Sequence, residues 1–118
     1  MRKTAIVIDD EPDIVDIFSD LLKEREVDVV AKGYNGKEAI DLHITNKPDV
    51  LFIDIMMPDG SGIHAIKKIR QKNKNAFIIA VTADDSSVTE GKLKDLNVNG
   101  IAYKPVDMNE IMEMISTK

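Results

Sequence analysis

The 118-residue chain has no cysteine, which removes both a disulfide framework and any cysteine-ligated metal site. It also lacks an excess of positive charge: sixteen Lys and Arg stand against twenty-one Asp and Glu, for a net charge of −5. A protein that grips nucleic acid through phosphate contacts carries the opposite balance, so direct nucleic-acid binding is not expected. No apolar run approaches the roughly 20 residues that cross a bilayer. The run after Arg2 and Lys3 is cut off by acids before it could serve as a secretory leader. The expectation is a cytoplasmic protein with no membrane contact. There is no linker, repeat or low-complexity tract, and 43% hydrophobic with 31% charged residues is an ordinary globular balance, so residues 1–118 read as one domain.

Five short apolar runs punctuate the chain: Thr4–Asp9 (TAIVID), Val27–Ala31 (VDVVA), Val50–Asp54 (VLFID), Phe77–Thr82 (FIIAVT) and Gly100–Tyr103 (GIAY). The first, third and fourth are continuously apolar rather than alternating, as befits strands buried on both faces. Between the runs the period becomes helical. Ile14, Ile17, Phe18, Leu21 and Leu22 form one stripe, Ala39, Ile40 and Ile44 a second, and Ile63, Ile66 and Ile69 a third. Ser86 to Leu96 predicts a weaker helix, with Gly91 inside it. Asp107 and Glu110 stand at capping-box spacing ahead of Ile111, Met114 and Ile115. Strands alternating with helices imply an α/β, doubly wound parallel sheet of five strands with five helices.

In such a sheet ligands bind beyond the carboxyl ends of the strands. The first strand ends in Asp9 and Asp10, the third in Asp54, the fourth in Thr82 and the fifth runs into Lys104. Each alone has an ordinary explanation as a turn, cap or surface residue. Together they place three carboxylates, a hydroxyl and an ammonium on one rim. Oxygen donors without nitrogen or sulfur suit a hard cation such as magnesium. A carboxylate can also act as a nucleophile toward phosphorus, and phosphoryl transfer asks mainly for positioning and neutralisation of the transferred oxygens. The repulsion within Asp9-Asp10-Glu11 is then explained by a cation between them. The same repulsion is expected to raise at least one carboxylate pKa in the metal-free protein.

The motifs IDD, DIMMP with GSG, VTA and YKP, in that order along nearly the whole chain, resemble the receiver domains of two-component response regulators. The resemblance implies a flavodoxin-like sheet in the order 2-1-3-4-5. It implies Asp54 as the phosphate acceptor, and Asp9, Asp10, Asp54 and the backbone carbonyl of Met56 as magnesium ligands. Thr82 matches the switch hydroxyl and Lys104 the phosphate-contacting lysine, with a cis bond to Pro105. The implied partners are a histidine kinase or phosphotransfer protein upstream and an effector protein downstream, either as a chemotaxis-type regulator or as a relay that passes phosphate onward. Such a domain catalyses only its own phosphorylation and dephosphorylation.

The sequence departs from the family pattern at the aromatic place three residues before the lysine, which is Ile101 here, while Tyr103 directly precedes Lys104. Met56 and Asp84, two residues past the acceptor and the switch threonine, stand where the family controls access of water to the phosphoryl group; apolar Met56 is expected to shield it. Ile14, four residues beyond Asp10, is either core or an anchor for the phosphodonor's helix. His43 and His64 are expected to be structural or solvated, and the six methionines to be core filler. A phosphohydrolase of the haloacid dehalogenase type would want an acid at position 56, and a flavodoxin-like cofactor binder would not place DDEPD in its phosphate loop. With no second periodic block before Lys118, output is expected through a separate protein, through self-association or through a part of the gene absent from this chain.

Overall fold

The structure, a computed structural model, describes residues 2–118. Five strands, β1 (Thr4–Ile8), β2 (Asp28–Gly33), β3 (Val50–Asp54), β4 (Ile78–Thr82) and β5 (Gly100–Tyr103), alternate with five helices, α1 (Pro12–Glu24), α2 (Gly36–Asn46), α3 (Ser61–Lys72), α4 (Ser87–Asp95) and α5 (Met108–Ser116). All strand pairs are parallel and the order is β2-β1-β3-β4-β5. Every residue of β3 and β4 is buried, as their unbroken apolar runs require.

Two cores lie on the two faces of the sheet. On one, Val15, Phe18 and Leu22 of α1 and Ile111 and Ile115 of α5 pack on Val7, Phe52 and Val81. Phe18 and Phe52 meet edge to face at a centroid distance of 5.0 Å. On the other, Ala39, Ala65, Ile66, Ile69 and Leu93 cover Ile6, Leu51, Ile53 and Ile78. The edge strand β2 runs to Gly33, two residues past the expected run. Its register skips a residue, because Ala5 pairs with Val29 and Ile6 with Ala31. Val30 is therefore a bulge that turns outward and interrupts the edge.

Two sequence expectations change, the width of the helical stripes and the methionines as core filler, while His43 takes the structural one of its two expected places. Ile17 is 57% exposed and Ile44 49% exposed, so the helical stripes are narrower than their apolar residues suggest. In α2 the buried place next to Ile44 is taken by His43, which packs beside Arg70; burial and then that guanidinium hold its imidazole below the usual range. Of the methionines, Met57 is buried and Met108, Met112 and Met114 lie against the core, but Met56 is exposed; Met1 lies outside the described residues. His64 is exposed. Among the described residues no helix is long and apolar enough to cross a membrane.

Candidate functional site

The carboxyl ends of β1, β3, β4 and β5 bring the expected side chains to one rim. Asp9 and Asp54 are buried, Thr82 is fully buried, Lys104 is half-buried and Asp10 is exposed. Each buried acid is oriented by a short loop-closing bond from its own chain: the Glu11 N–H donates to Asp9 Oδ1 at 3.0 Å, and the Met56 N–H donates to Asp54 Oδ1 at 2.9 Å. The other oxygen of each faces Lys104, whose Nζ lies 3.0 Å from Asp9 Oδ2 and 3.3 Å from Asp54 Oδ2. Lys104 is itself fixed through its backbone N–H, which donates to the Thr82 carbonyl at 2.8 Å, and the Lys104–Pro105 bond is cis.

Burial pushes the Asp54 carboxyl above its ordinary range; the Met56 N–H and Lys104 oppose that, and the Asp9 charge adds to it. The expected rise therefore occurs, but desolvation is its first cause and repulsion between acids a lesser one. The lysine is pushed up despite its own desolvation, because it donates to Asp9 and sits in the field of Asp54. Oxygens of Asp9, Asp10 and Asp54 come within 4.8 Å of one another. The donors are all carboxylate oxygen and Asp10 opens to solvent, a set that fits a hard, partly hydrated cation.

The remaining sequence candidates separate. Tyr103 pairs in register with Thr82 across β4 and β5 and is exposed, whereas Ile101 is half-buried against the core formed with α2, α3 and α4. Ile14 is 38% exposed and lines a groove of about 540 Å³ with Ile17, Leu21, Phe52 and Val106 that reaches Lys104. It is not a buried core residue. Asp84 does not face the rim with its carboxylate: Oδ1 accepts the Ser86 N–H at 2.8 Å and Oδ2 the Thr89 hydroxyl at 2.6 Å. Two contributors escape sequence reasoning. Thr89 reads as one more exposed helical residue until the loop geometry is known. Gly62 reads as a turn residue, yet a Cβ there would lie 2.7 Å from the Asp54 carbonyl oxygen and 2.8 Å from Ile55 Cα. The GSG signal was visible; the close approach it permits was not.

A parallel, doubly wound sheet thus carries a cluster of three acids and a lysine beyond its carboxyl edge. The family model described as the response regulator receiver domain matches residues 5–116, and the chain belongs to that family. Among solved structures, it is similar to a LuxR-family two-component response regulator from Aurantimonas sp. SI85-9A1, with 26% identity and a TM-score of 0.91 over 99% of this chain and 84% of that one. It is similar to the receiver domain of the Francisella response regulator 1452, with 28% identity and a TM-score of 0.87 over 98% and 95% of the two chains. A DNA-binding LuxR-family response regulator from Staphylococcus aureus matches at 25% identity and a TM-score of 0.88 over 98% and 97%.

Proposed function

We propose that this domain is a signalling switch in which Asp54 accepts a phosphoryl group from a histidine kinase or phosphotransfer protein in the cytoplasm. The observation that carries the reading is the buried Asp54 carboxylate held at the rim between the Met56 N–H and Lys104, within reach of two further acids. In the transfer the Asp54 carboxylate forms an O–P bond as the N–P bond of the donor's phosphohistidine breaks, the electron pair leaving with the imidazole nitrogen. Lys104, poised between Asp9 and Asp54, follows one phosphoryl oxygen as a flexible point charge. Thr82 donates its hydroxyl proton to another. Asp9, Asp10, Asp54 and the Met56 carbonyl would hold magnesium, which when bound supplies neutralisation of the phosphoryl charge. Exposed Met56 stands two residues from the acceptor, where its apolar side chain limits the approach of water.

The groove between α1 and the turn into α5 supports a donor docking there, with Ile14 as an apolar anchor beside the acceptor rim. The phosphorylated domain then changes its affinity for an effector. Incubating the protein with acetyl phosphate, with and without magnesium, and weighing it intact tests the acceptor. A phosphoryl adduct that needs magnesium and is lost in Asp54→Asn is expected. An adduct that persists in the variant would overturn the assignment of Asp54.

A further inference from the structure

Beyond the last paired residues of β1 and β3 the two buried acids are tied in opposite directions. The register of these strands ends at Ile8 and Ile53, one residue short of Asp9 and Asp54. The Asp9 N–H turns to the outer neighbour and donates to the Gly33 carbonyl of β2 at 3.2 Å, while the Ile55 N–H donates to the Val81 carbonyl of β4 at 3.1 Å. Lys104 reaches both carboxylates, but only through a flexible stem.

A second link joins the acids from behind. The turn that leaves Gly33 is short and doubly held: the Tyr34 N–H donates to Glu38 Oε1 and the Glu38 N–H to Asn35 Oδ1, both at 2.9 Å. It ends at Gly36, whose N–H donates to Ser61 Oγ at 2.8 Å. The two chains approach so closely there that a Cβ on Gly36 would stand 2.6 Å from that of Ser61. Ser61 is fixed in turn by its own N–H, which donates to Asp59 Oδ1 at 2.9 Å, and the next residue, Gly62, rests on the Asp54 carbonyl. A continuous line of contacts therefore runs from Asp9 through the turn to Asp54, and the Ser61 hydroxyl makes the step between α2 and α3.

Stiffness at this place bears on the choice of ion. Magnesium demands near-octahedral oxygens at about 2.0–2.1 Å, whereas calcium accepts more oxygens at about 2.3–2.6 Å in looser geometry. Acids held at a fixed spacing suit the first, and acids free to separate lose little with the second. We propose that Ser61 is a positioning residue whose hydroxyl locks the Gly33–Gly36 turn as a brace between the strand ends carrying Asp9 and Asp54, so that the rim selects magnesium over calcium. This rests on the magnesium reading of the same rim. The hydroxyl bonds to Gly36 and to no proposed ligand, so its removal acts through spacing.

The test titrates magnesium chloride and calcium chloride in turn into wild type, Ser61→Ala and Ala39→Gly, with no phosphodonor present. Amide NMR at Asp9, Asp10 and Asp54 gives both dissociation constants. Ala39 is fully buried in α2 and lies off the brace, so Ala39→Gly weakens the same helix and leaves the Ser61 bond in place. In wild type magnesium binds more tightly than calcium. In Ser61→Ala the preference falls at least about fivefold through weaker magnesium binding, somewhat less than the loss when a group directly behind a metal ligand is removed. In Ala39→Gly the melting temperature falls and the preference stays as in wild type. A smaller change in Ser61→Ala, an equal one in Ala39→Gly, or a wild type that binds calcium as tightly would overturn the brace while leaving the metal rim in place. No magnesium-dependent shift at these amides in wild type, alone or with beryllium trifluoride as a phosphoryl analogue, would count against the rim reading itself, and the brace would fall with it.

Discussion

On one side of β3, α3 approaches through bare backbone: Gly62 rests so near Asp54 and Ile55 that a single methyl would have no room. Beside it, the Gly36 N–H at the start of α2 donates to Ser61 Oγ at 2.8 Å, joining the two helices. On the other side, α4 meets the sheet through Leu93 and a pair of side-chain hydrogen bonds at Asp84, and its glycine faces open space. The two flanks are built of similar residues and differ in how directly they touch the rim. The first can hold Asp54 at a fixed height. The second can shift at small cost, because few buried contacts have to be broken.

Truncating each flank's core should show the contrast at its largest. Ile66→Ala, fully buried in α3, should lose about 2–5 kcal/mol of unfolding free energy in denaturant titrations. Leu93→Ala should lose stability in the same range, but with exchange of α4 amides rising far more than that of the sheet, because Leu93 is the residue that α4 buries. The same small substitution at the two glycines should have opposite signs. Gly62→Ala overpacks against backbone and should cost about 1–3 kcal/mol while slowing acetyl phosphate labelling of Asp54. Gly91→Ala, in an unobstructed helix interior, should gain about 0.5–1 kcal/mol. A Gly62→Ala as stable as wild type would remove the basis for calling that flank rigid.

Two titrating groups sharpen the comparison further. The Asp54 pKa is raised on folding, so its ionised form costs stability at neutral pH, and the cost disappears as pH falls through the raised value toward the ordinary 3.8. Without magnesium, Asp54→Asn should melt above wild type at pH 7, and the difference should shrink in acid. Magnesium should raise the wild-type melting temperature by binding the folded state, and do so less in Asp10→Ala. His43 on the rigid flank has a lowered pKa, so the protein should lose stability as pH falls through the unfolded value near 6.5, where the unfolded chain takes up a proton that the folded one does not. His43→Leu should flatten that part of the melting curve.

The strands, the helices and the meeting of Asp9, Asp54 and Lys104 at one rim were legible because continuous apolar runs, helical periods and charged residues at strand ends are local signals. The sheet order came only through family motifs. What escaped was contact that depends on the assembled fold. Ile17 and Ile44 look like core in a helical wheel, but the sheet beneath is narrower than the stripe. Asp84 reads as a loop acid, and only the turn of the loop shows that its carboxylate belongs to α4.

Amide hydrogen exchange, followed by mass spectrometry on wild type before and after loading with magnesium and beryllium trifluoride, tests the contrast between the flanks most directly. The account predicts slow exchange in α3 in both states, faster exchange in α4 of the free protein, and a change on loading concentrated in α4 and the loop before it. Exchange in α3 as fast as in α4, or a loading response confined to α2 and α3, would contradict it.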